Sequence, residues 1–492
     1  MSKNDIILRN PKQGALVKAT QQSQTFLTLL QQSDERRLIE ILKSIDFKEA
    51  TGLISYLEHI EWTAEFIEKY AEYWGWAELS WNKALPWSIE LIERFEERWD
   101  WDILSSNEAL PWSIALIERF EDRWYWWELS RNEALPWSIG LIERFEDRWY
   151  WWELSRNEAL PWSIGLIERF EDRWDFEKLS ENEALPWSMA LIECFEDSWD
   201  WLWLSHNEAL PWSIKLIERF EELWDWLLLS KNKALPWSIE LIERFEDRWD
   251  FEKLSGNKAL PWSMELIERF EERWVWWALS RNEALPWSME FFERFEERWG
   301  WRPLSSNESL PWSMEFFERF EAHWGWRPLS SNESLPWSMA LIERFEARWH
   351  WPWLSGNEAL PWSMELIERF EARWDWGKLG LSVNKALPWS IELIERFEER
   401  WNWEGYYSLS HNEALPWSIE LIARFEELWD WGYRGLSHNE ALPWSIDLLD
   451  KFKHKWDWTQ VEYNEKVQQI FTALSVQSIE EVMDYHIENE NS

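Results

Sequence analysis

Few side chains in this 492-residue sequence are spaced for acid–base, nucleophilic or metal chemistry. The single cysteine, Cys194, stands where Arg169 and Arg219 stand 25 residues to either side, so no second thiol or base recurs with it. Glycine-rich phosphate loops, H-E-x-x-H and G-x-S-x-G are absent. The histidines follow no metal-ligand spacing; they are His59, His206, His323, His350, His411, His438, His454 and His486. We therefore predict that the protein is not an enzyme and has no catalytic residue, no metal and no cofactor.

Acidic residues recur in triplets such as Glu90, Glu93 and Glu97. They lack the glycine turn and the spaced oxygen ligands of a calcium loop, which favours a solvated acidic helix face. Glu90 and Arg94 have the i,i+4 order that gives a small stabilisation within a helix.

Composition excludes several classes of protein. Lys and Arg number 51 against 93 Asp and Glu, a net charge of −42, so a phosphate backbone would be repelled. The chain is 46% hydrophobic with 52 tryptophans, which argues against disorder. One cysteine excludes a disulfide framework, and neither a membrane span nor a secretory signal is visible. We expect a soluble, intracellular, cytoplasmic protein.

The chain is built from tandem repeats. Leu-Pro-Trp occurs fifteen times, at a spacing of 25 residues up to Pro361 and then of 27, 28 and 27. A degenerate copy with Trp62, Trp74 and Trp76 precedes them, which makes sixteen units over 60–458. The flanking segments, 1–59 and 459–492, are predicted to be an N-terminal helical cap or docking segment and a C-terminal acidic helical cap.

Each unit is predicted to hold a short helix, possibly 3₁₀, followed by a long amphipathic helix that begins near Pro86. Asp100 is expected to cap the short helix, and Asn107 to adopt a left-handed conformation at its end. The predicted fold is an all-α solenoid. An α/β leucine-rich-repeat-like horseshoe is the alternative, but the prolines of Gly-Trp-Arg-Pro would interrupt its strands.

The string Asp100-Trp101-x-x-Leu104-Ser105-x-Asn107 resembles the D-W-x-x-L-S-x-N tandem repeats of largely uncharacterised proteins from large DNA viruses and assorted microbes. The resemblance covers about four-fifths of the chain, although Phe176 and Phe251 replace the tryptophan. It implies a helical repeat array and brings no activity or catalytic residue.

Most tryptophans fall into three periodic columns, represented by Trp87, Trp99 and Trp101. Burial is the usual fate of an apolar stripe at helical spacing, and each indole N–H can satisfy a loop carbonyl. The predicted core of one unit consists of Trp87, Leu91, Ile92, Phe95, Trp99 and Trp101.

A second set of residues forms the candidate contact surface. Five tryptophans lie just after the third column, where other units tolerate charge and insertions; they are Trp127, Trp152, Trp203, Trp277 and Trp353. The neighbouring asparagines could satisfy turn carbonyls or grip an extended peptide; they are Asn132, Asn157, Asn207, Asn282 and Asn357.

Three functions are compatible with this pattern. The first is a non-enzymatic scaffold that offers an acidic, tryptophan-rich surface to a protein or peptide, with a basic partner favoured. The alternative is a structural spacer whose length is its function. An aromatic surface for carbohydrate or proline-rich peptide is a third hypothesis. Nucleic acid and membrane are not expected as partners, and the sequence does not indicate an oligomeric state.

Overall fold

The computed structural model describes residues 32–490, and every regular element among them is a helix. The all-α repeat architecture is thereby confirmed, and the horseshoe alternative, which needs strands, is wrong. Residues 1–31, the first part of the predicted N-terminal cap, lie outside the described residues. The chain divides into two compact units, Trp101–Pro416 and a unit formed by Met1–Asp100 with Trp417–Ser492. No helix within 32–490 is both long and apolar enough to cross a bilayer.

Each repeat begins with a short helix at the Leu-Ser pair, and we call these the Leu-Ser helices; in the last of them Val461 and Glu462 take the place of the pair. Most have four or six residues; they are Trp76–Trp81, Trp101–Ser106, Trp126–Arg131, Trp151–Arg156, Phe176–Glu181, Trp201–His206, Trp226–Leu229, Phe251–Gly256, Trp276–Leu279, Trp301–Leu304, Trp326–Leu329, Trp351–Gly356 and Trp458–Val461. In the three longer units a 3₁₀ helix takes this place, at Leu381–Val383, Leu409–His411 and Leu436–His438.

The second helix of each repeat follows Leu-Pro-Trp-Ser, and we call these the Ser-capped helices. Each has six residues; they are Ile89–Arg94, Ile114–Arg119, Ile139–Arg144, Ile164–Arg169, Met189–Cys194, Ile214–Arg219, Ile239–Arg244, Met264–Arg269, Met289–Arg294, Met314–Arg319, Met339–Arg344, Met364–Arg369, Ile391–Arg396, Ile419–Arg424 and Ile446–Lys451. In the degenerate first copy Thr63 caps the equivalent helix, Ala64–Lys69.

The Ser-capped helix starts after the proline, not at it. Trp87 N–H donates to the Leu85 carbonyl at 2.7 Å, a three-residue turn whose central φ suits Pro86. Ser88 is extended (φ −153°, ψ 163°), and its Oγ accepts the Leu91 N–H at 3.2 Å. The predicted place of Pro86 in the first helical turn is therefore wrong, because the serine supplies the N-cap.

The Ser-capped helix is also shorter than the predicted long helix. Phe95 leaves the helical region (φ −123°, ψ 29°), and the chain continues as a turn in which Arg98 N–H donates to the Phe95 carbonyl at 2.8 Å. The Trp99 indole donates to the Ile92 carbonyl at 3.2 Å. That carbonyl would accept a backbone N–H if the helix continued, so the side chain replaces the next helical turn.

Aspartates at the position predicted for Asp100 cap several Leu-Ser helices, although Asp457 makes no such bond. Asp225 Oδ1 accepts the Leu228 N–H at 2.8 Å, and Asp250 Oδ1 accepts the Lys253 N–H at 3.0 Å. At the other end Asn132 is extended (φ −69°, ψ 114°), and no non-glycine residue within 32–490 has a positive φ. The predicted left-handed asparagine is wrong, because Asn132 Oδ1 accepts a backbone N–H two residues ahead, a bond that holds the backbone extended.

Four further helices belong to the unit formed by Met1–Asp100 with Trp417–Ser492. They are a helix over 32–44, then Phe47–Ser55, Glu465–Phe471 and Val476–Glu490. Phe47–Ser55 packs against three elements of this unit: the Leu-Ser helix Trp76–Trp81, the Leu-Ser helix Trp458–Val461 and the C-terminal helix Val476–Glu490. The first and last described segments of the chain therefore contact each other.

Candidate functional site

The asparagine column ties neighbouring repeats together in the unit Trp101–Pro416. Asn257 Nδ2 donates to the Ser230 carbonyl at 3.0 Å and to the Asn232 carbonyl at 3.1 Å, both in the preceding repeat. Its Oδ1 accepts the Ala259 N–H at 2.9 Å. Both ends of the amide are thus used within the protein, which is how a buried asparagine avoids a desolvation penalty.

This geometry removes the asparagines from the candidate contact surface. All five are buried, with at most 6% of the residue exposed; they are Asn132, Asn157, Asn207, Asn282 and Asn357. A peptide backbone cannot reach amides whose hydrogen bonds are already made to neighbouring turns. Of the two predicted roles, the asparagines therefore have the first, which is to satisfy turn carbonyls.

A second ladder, of serines, was not predicted. Ser130 of the Leu-Ser helix Trp126–Arg131 is fully buried, and its Oγ donates to the Trp126 carbonyl at 2.7 Å. The same Oγ accepts the Tyr150 N–H of the next repeat at 3.0 Å, and the Ser130 carbonyl accepts from Asn157. The invariant Leu-Ser pair was the available signal, because a serine that is always buried needs a partner for its hydroxyl.

The three tryptophan columns differ in burial. The helix-end column is buried throughout, with Trp99 4% exposed, and Leu91, Ile92 and Phe95 are core residues as predicted. Trp87 and Trp101 are only half-buried, so their assignment to the core is corrected.

The half-buried members of these two columns still carry packing and hydrogen bonds, while others, such as Trp126 and Trp376, are buried. Trp87 Nε1 donates to the Asn82 carbonyl at 3.0 Å, and its ring lies 5.0 Å from that of Trp99. Trp101 packs its ring 4.9 Å from that of Trp124 at the end of the same repeat. One face of each ring therefore meets the core and the rest meets solvent.

The five candidate tryptophans share an unexpected feature, which is a cation of the same chain over each ring. Trp277 is 57% exposed, Trp152 43% and Trp353 39%, while Trp127 and Trp203 are half-buried. The nearest cations lie between 4.5 and 5.6 Å from the ring centroids; they are Arg131 on Trp127, Arg156 and Lys178 on Trp152, Lys178 on Trp203, Arg281 on Trp277 and Arg327 on Trp353.

Three of these tryptophans fall in consecutive or nearby repeats and form what we call the aromatic patch. It comprises Tyr125, Trp127, Tyr150, Trp152 and Trp203; Tyr125 and Tyr150 are 43% and 51% exposed. A groove between two Leu-Ser helices runs through it and is lined by Trp127, Arg131, Glu133, Trp152, Glu153, Arg156 and Asn157. Tyrosine, tryptophan and arginine on a rigid surface are the residues most enriched where proteins bind each other.

The acidic face is organised by ion pairs between repeats and not within one helix. Arg173 Nε lies 3.1 Å from Glu146 Oε1, and its Nη2 lies 2.7 Å from Asp147 Oδ1, both in the preceding repeat. Arg94 likewise contacts Glu65 and Glu68 of the preceding repeat. Its ion pairs are therefore made between repeats, whereas the i,i+4 spacing predicts a pair with Glu90 of its own helix.

The repeat that carries Cys194 interrupts these pairs. Cys194 and Ser198 stand where other repeats have arginines, and Cys194 Sγ lies 3.6 Å from Glu168 Oε1. Partial desolvation and the Glu168 carboxylate raise the pKa of the Cys194 thiol, which disfavours the nucleophilic thiolate. Within 32–490 no group of three or more His, Cys, Asp or Glu side chains is arranged to hold a metal ion.

Comparison of the chain with protein-family models, with curated proteins and with solved structures finds no match.

Proposed function

We propose that this chain is a non-enzymatic protein-interaction scaffold and that the aromatic patch is its contact surface for a basic peptide or protein segment. The observation that carries the proposal is the exposure of Trp152, Tyr125 and Tyr150 on helices whose backbone is held by the asparagine and serine ladders. Rigid exposed aromatic side chains lose little conformational entropy when a partner covers them.

Charge supports the choice of a basic partner. The net charge of −42 produces a negative potential that attracts cationic segments and speeds their association. Arg131 lies 4.5 Å from the Trp127 ring centroid, so the patch already accepts guanidinium groups on its rings. In the groove beside it, the exposed carboxylate of Glu133 offers a counter-charge for the head of a partner Lys or Arg.

The test is calorimetric titration of the full chain with an Arg- and Lys-rich peptide and with a Glu-rich peptide of equal length. We expect the basic peptide alone to bind, with an affinity that falls as salt is raised. The double variant Trp127→Ala/Trp152→Ala should weaken binding at least about tenfold, because aromatic anchors contribute most of the binding energy.

The matched control is Trp81→Ala, which removes an exposed tryptophan (47% exposed) outside the patch and should leave the affinity unchanged. Equal losses in both variants, or binding that survives removal of Trp127 and Trp152, would show that the peptide is held by the acidic face and not by the patch.

A structural spacer is the second candidate function. It is favoured by the bonds that join consecutive repeats, such as Asn257 to Ser230 and Asp250 N–H to Ser230 Oγ at 3.0 Å, because such bonds stiffen a repeat array. Failure of every basic peptide to bind at low salt would favour the spacer over the scaffold.

A further inference from the structure

The last repeat departs from the serine ladder. In the fifteen preceding copies the residue after the invariant leucine is a serine that is fully buried, as Ser80 and Ser437 are. The final copy reads Asp457-Trp458-Thr459-Gln460-Val461-Glu462-Tyr463-Asn464, so Glu462 occupies the serine position. The residue is only 6% exposed. A carboxylate thus replaces a hydroxyl at a buried site.

Glu462 lies where the two ends of the chain meet. The helix Phe47–Ser55 packs on Trp458–Val461 on one side and on Trp76–Trp81 on the other. Asn82 Nδ2 donates to the Ser55 carbonyl at 2.8 Å, the bond that it would make to a preceding Leu-Ser helix. A methyl group at Gly52 would lie 2.8 Å from Glu462 Oε2, so the glycine makes room for the carboxylate.

Other contacts hold these ends together through charges of both signs. Lys43 Nζ lies 2.6 Å from Glu481 Oε1, and Lys69 Nζ lies 3.0 Å from Glu480 Oε1. Glu35 Oε1 accepts the Ser475 hydroxyl at 2.7 Å. These carboxylates have partners that favour ionisation, in contrast to Glu462.

The groups that face Glu462 are acidic or phenolic. They are Glu49 and Tyr56 from the N-terminal side, Glu78 from Trp76–Trp81, and Asp457 and Tyr463 from its own segment. The neutral Gln468 side chain donates to the Glu462 carbonyl at 2.7 Å.

Because burial and like charges disfavour a second negative charge, this site suits a protonated carboxyl. We propose that the contact between Phe47–Ser55 and Trp458–Val461 is a proton-operated clasp, which protonated Glu462 keeps closed and ionised Glu462 weakens.

The direction of the pH effect follows from the charge state. Burial, and then the charges of Glu78, Asp457 and Glu49, raise the pKa of Glu462 from its ordinary value of 4.5 to about 7. A raised carboxyl pKa stabilises the closed state fully below pH 4.5, and this stabilisation is lost as the pH rises to 7. The closing constant should fall by about 300-fold between a pH well below 4.5 and a pH well above 7, since each pKa unit is tenfold.

Four other groups titrate at this contact. Burial is the main cause that raises the pKa of Glu49, so its ionisation opposes closure in the same direction as that of Glu462. Burial lowers the pKa of His59 from its ordinary value of 6.5. Protonation of the imidazole at a pH below that value therefore opposes closure. Hydrogen bonds from Ser478 and Ser475 lower the pKa of Glu35, and the Lys43 ammonium lowers that of Glu481, so both are ionised throughout the neutral range. They favour closure at every pH between 5 and 8.

The experiment is hydrogen exchange of the full chain at pH 5 to 8, with rates divided by the intrinsic rate at each pH. Protection of the amides of Phe47–Ser55 should fall by about 70-fold between these limits in the native protein, from the two pKa values above. In Glu462→Gln, which mimics the protonated side chain, it should change much less. Contributions from His59 cancel in the comparison.

Two controls separate the clasp from general stability. Glu462→Ser restores the residue of the other repeats and should also remove the pH dependence. Glu481→Gln should weaken protection at every pH but leave its pH dependence unchanged. The Ser-capped helix Ile239–Arg244 should keep its protection throughout. The proposal is overturned if Ile239–Arg244 loses protection in parallel with Phe47–Ser55, or if Glu462→Gln retains the native pH dependence.

Discussion

Replacing Trp224 by alanine should strongly destabilise the middle of the repeat array. Trp224 is 4% exposed, and its ring centroid lies 4.8 Å from that of Trp201 at the start of the same repeat and 5.1 Å from that of Trp212. Its Nε1 donates to the Ile217 carbonyl at 3.2 Å. The substitution therefore removes the packing contact between the start and the end of one repeat and the bond that ends a Ser-capped helix.

The magnitude follows from burial. A tryptophan buries about 150–250 Å², worth roughly 4–6 kcal/mol at about 25 cal/mol per Å², and compaction of the unfolded chain reduces this by about 10–40%. The Ile217 carbonyl left without its partner adds about 1 kcal/mol. We expect a loss of about 3–5 kcal/mol in the free energy of unfolding, the usual range for a large aromatic deleted from a core.

Hydrogen exchange and urea unfolding of Trp224→Ala measure the size and the spread of the effect. Protection should fall in the two Ser-capped helices beside the cavity, because repeats interact only with their neighbours. Trp277→Ala, at a ring that is 57% exposed, is the control and should change stability by less than about 1 kcal/mol. Equal destabilisation by the two substitutions would refute the division into buried and exposed tryptophans.

Three smaller perturbations test other contacts. Asn257→Ala leaves the Ser230 carbonyl without its donor and the Ala259 N–H without its acceptor, and should cost about 2–4 kcal/mol in a urea unfolding curve; a neutral result would contradict the ladder. Gly380→Ala places a methyl group 1.8 Å from the Asp375 carbonyl oxygen and should lower the melting temperature, whereas Gly140→Ala, with open space around it, should raise or preserve it. Arg173→Gln removes only exposed ion pairs and should leave the urea midpoint unchanged; a large shift would show that these pairs are structural.

The fold could be predicted from the sequence to the level of the repeat and its two helices and, for the Leu-Ser helices, of the helix start. Capping residues act locally, so the aspartates before the Leu-Ser helices, such as Asp250, announce a helix from the sequence alone. The buried helix-end column was equally visible, because Trp99 continues the apolar stripe of Leu91 and Phe95.

The helix length could not be predicted, since it depends on a side chain–backbone bond. Periodicity cannot distinguish a helix that continues to Trp99 from one that stops at Arg94 with the Trp99 ring folded back onto Ile92, because both place the tryptophan on the same face. The backbone conformation of the helix-ending asparagines could not be predicted for a related reason. A helix-ending asparagine is compatible with a left-handed and with an extended backbone, and only the hydrogen bonds of a side chain such as that of Asn132 distinguish the two.

The contacts between the N-terminal and C-terminal segments could not be predicted from the sequence for a different reason. Lys43 and Glu481 are 438 residues apart, and nothing periodic relates them. The last Leu-Ser helix can be aligned with the other repeats from the sequence, which places Glu462 at the serine position. The segment around Ser55 takes the place of a preceding Leu-Ser helix, and this is recognisable only from its hydrogen bonds to Thr51 and Asn82. Within the candidate surface, the covering cations were likewise unpredicted, since Arg327 reaches Trp353 from a different repeat.

The abundance of tryptophan follows from the brevity of the helices. Six residues are too few for a helix that is stable in water, and each such helix leaves terminal carbonyls without backbone donors. The indole of Trp249 in the unit Trp101–Pro416 buries a large apolar area, and the equivalent Trp274 gives its N–H to the Ile267 carbonyl at 3.2 Å. No other apolar side chain combines that area with a single strong donor. Phenylalanine replaces tryptophan in the third column, at Phe176 and Phe251, and never in the helix-end column. Third-column indoles also donate, as Trp126 does to the Glu121 carbonyl at 3.0 Å, so the difference between the columns lies in burial, which extends to every ring only in the helix-end column. Replacing a helix-end tryptophan by phenylalanine would therefore keep most of the packing and lose the bond that ends the helix.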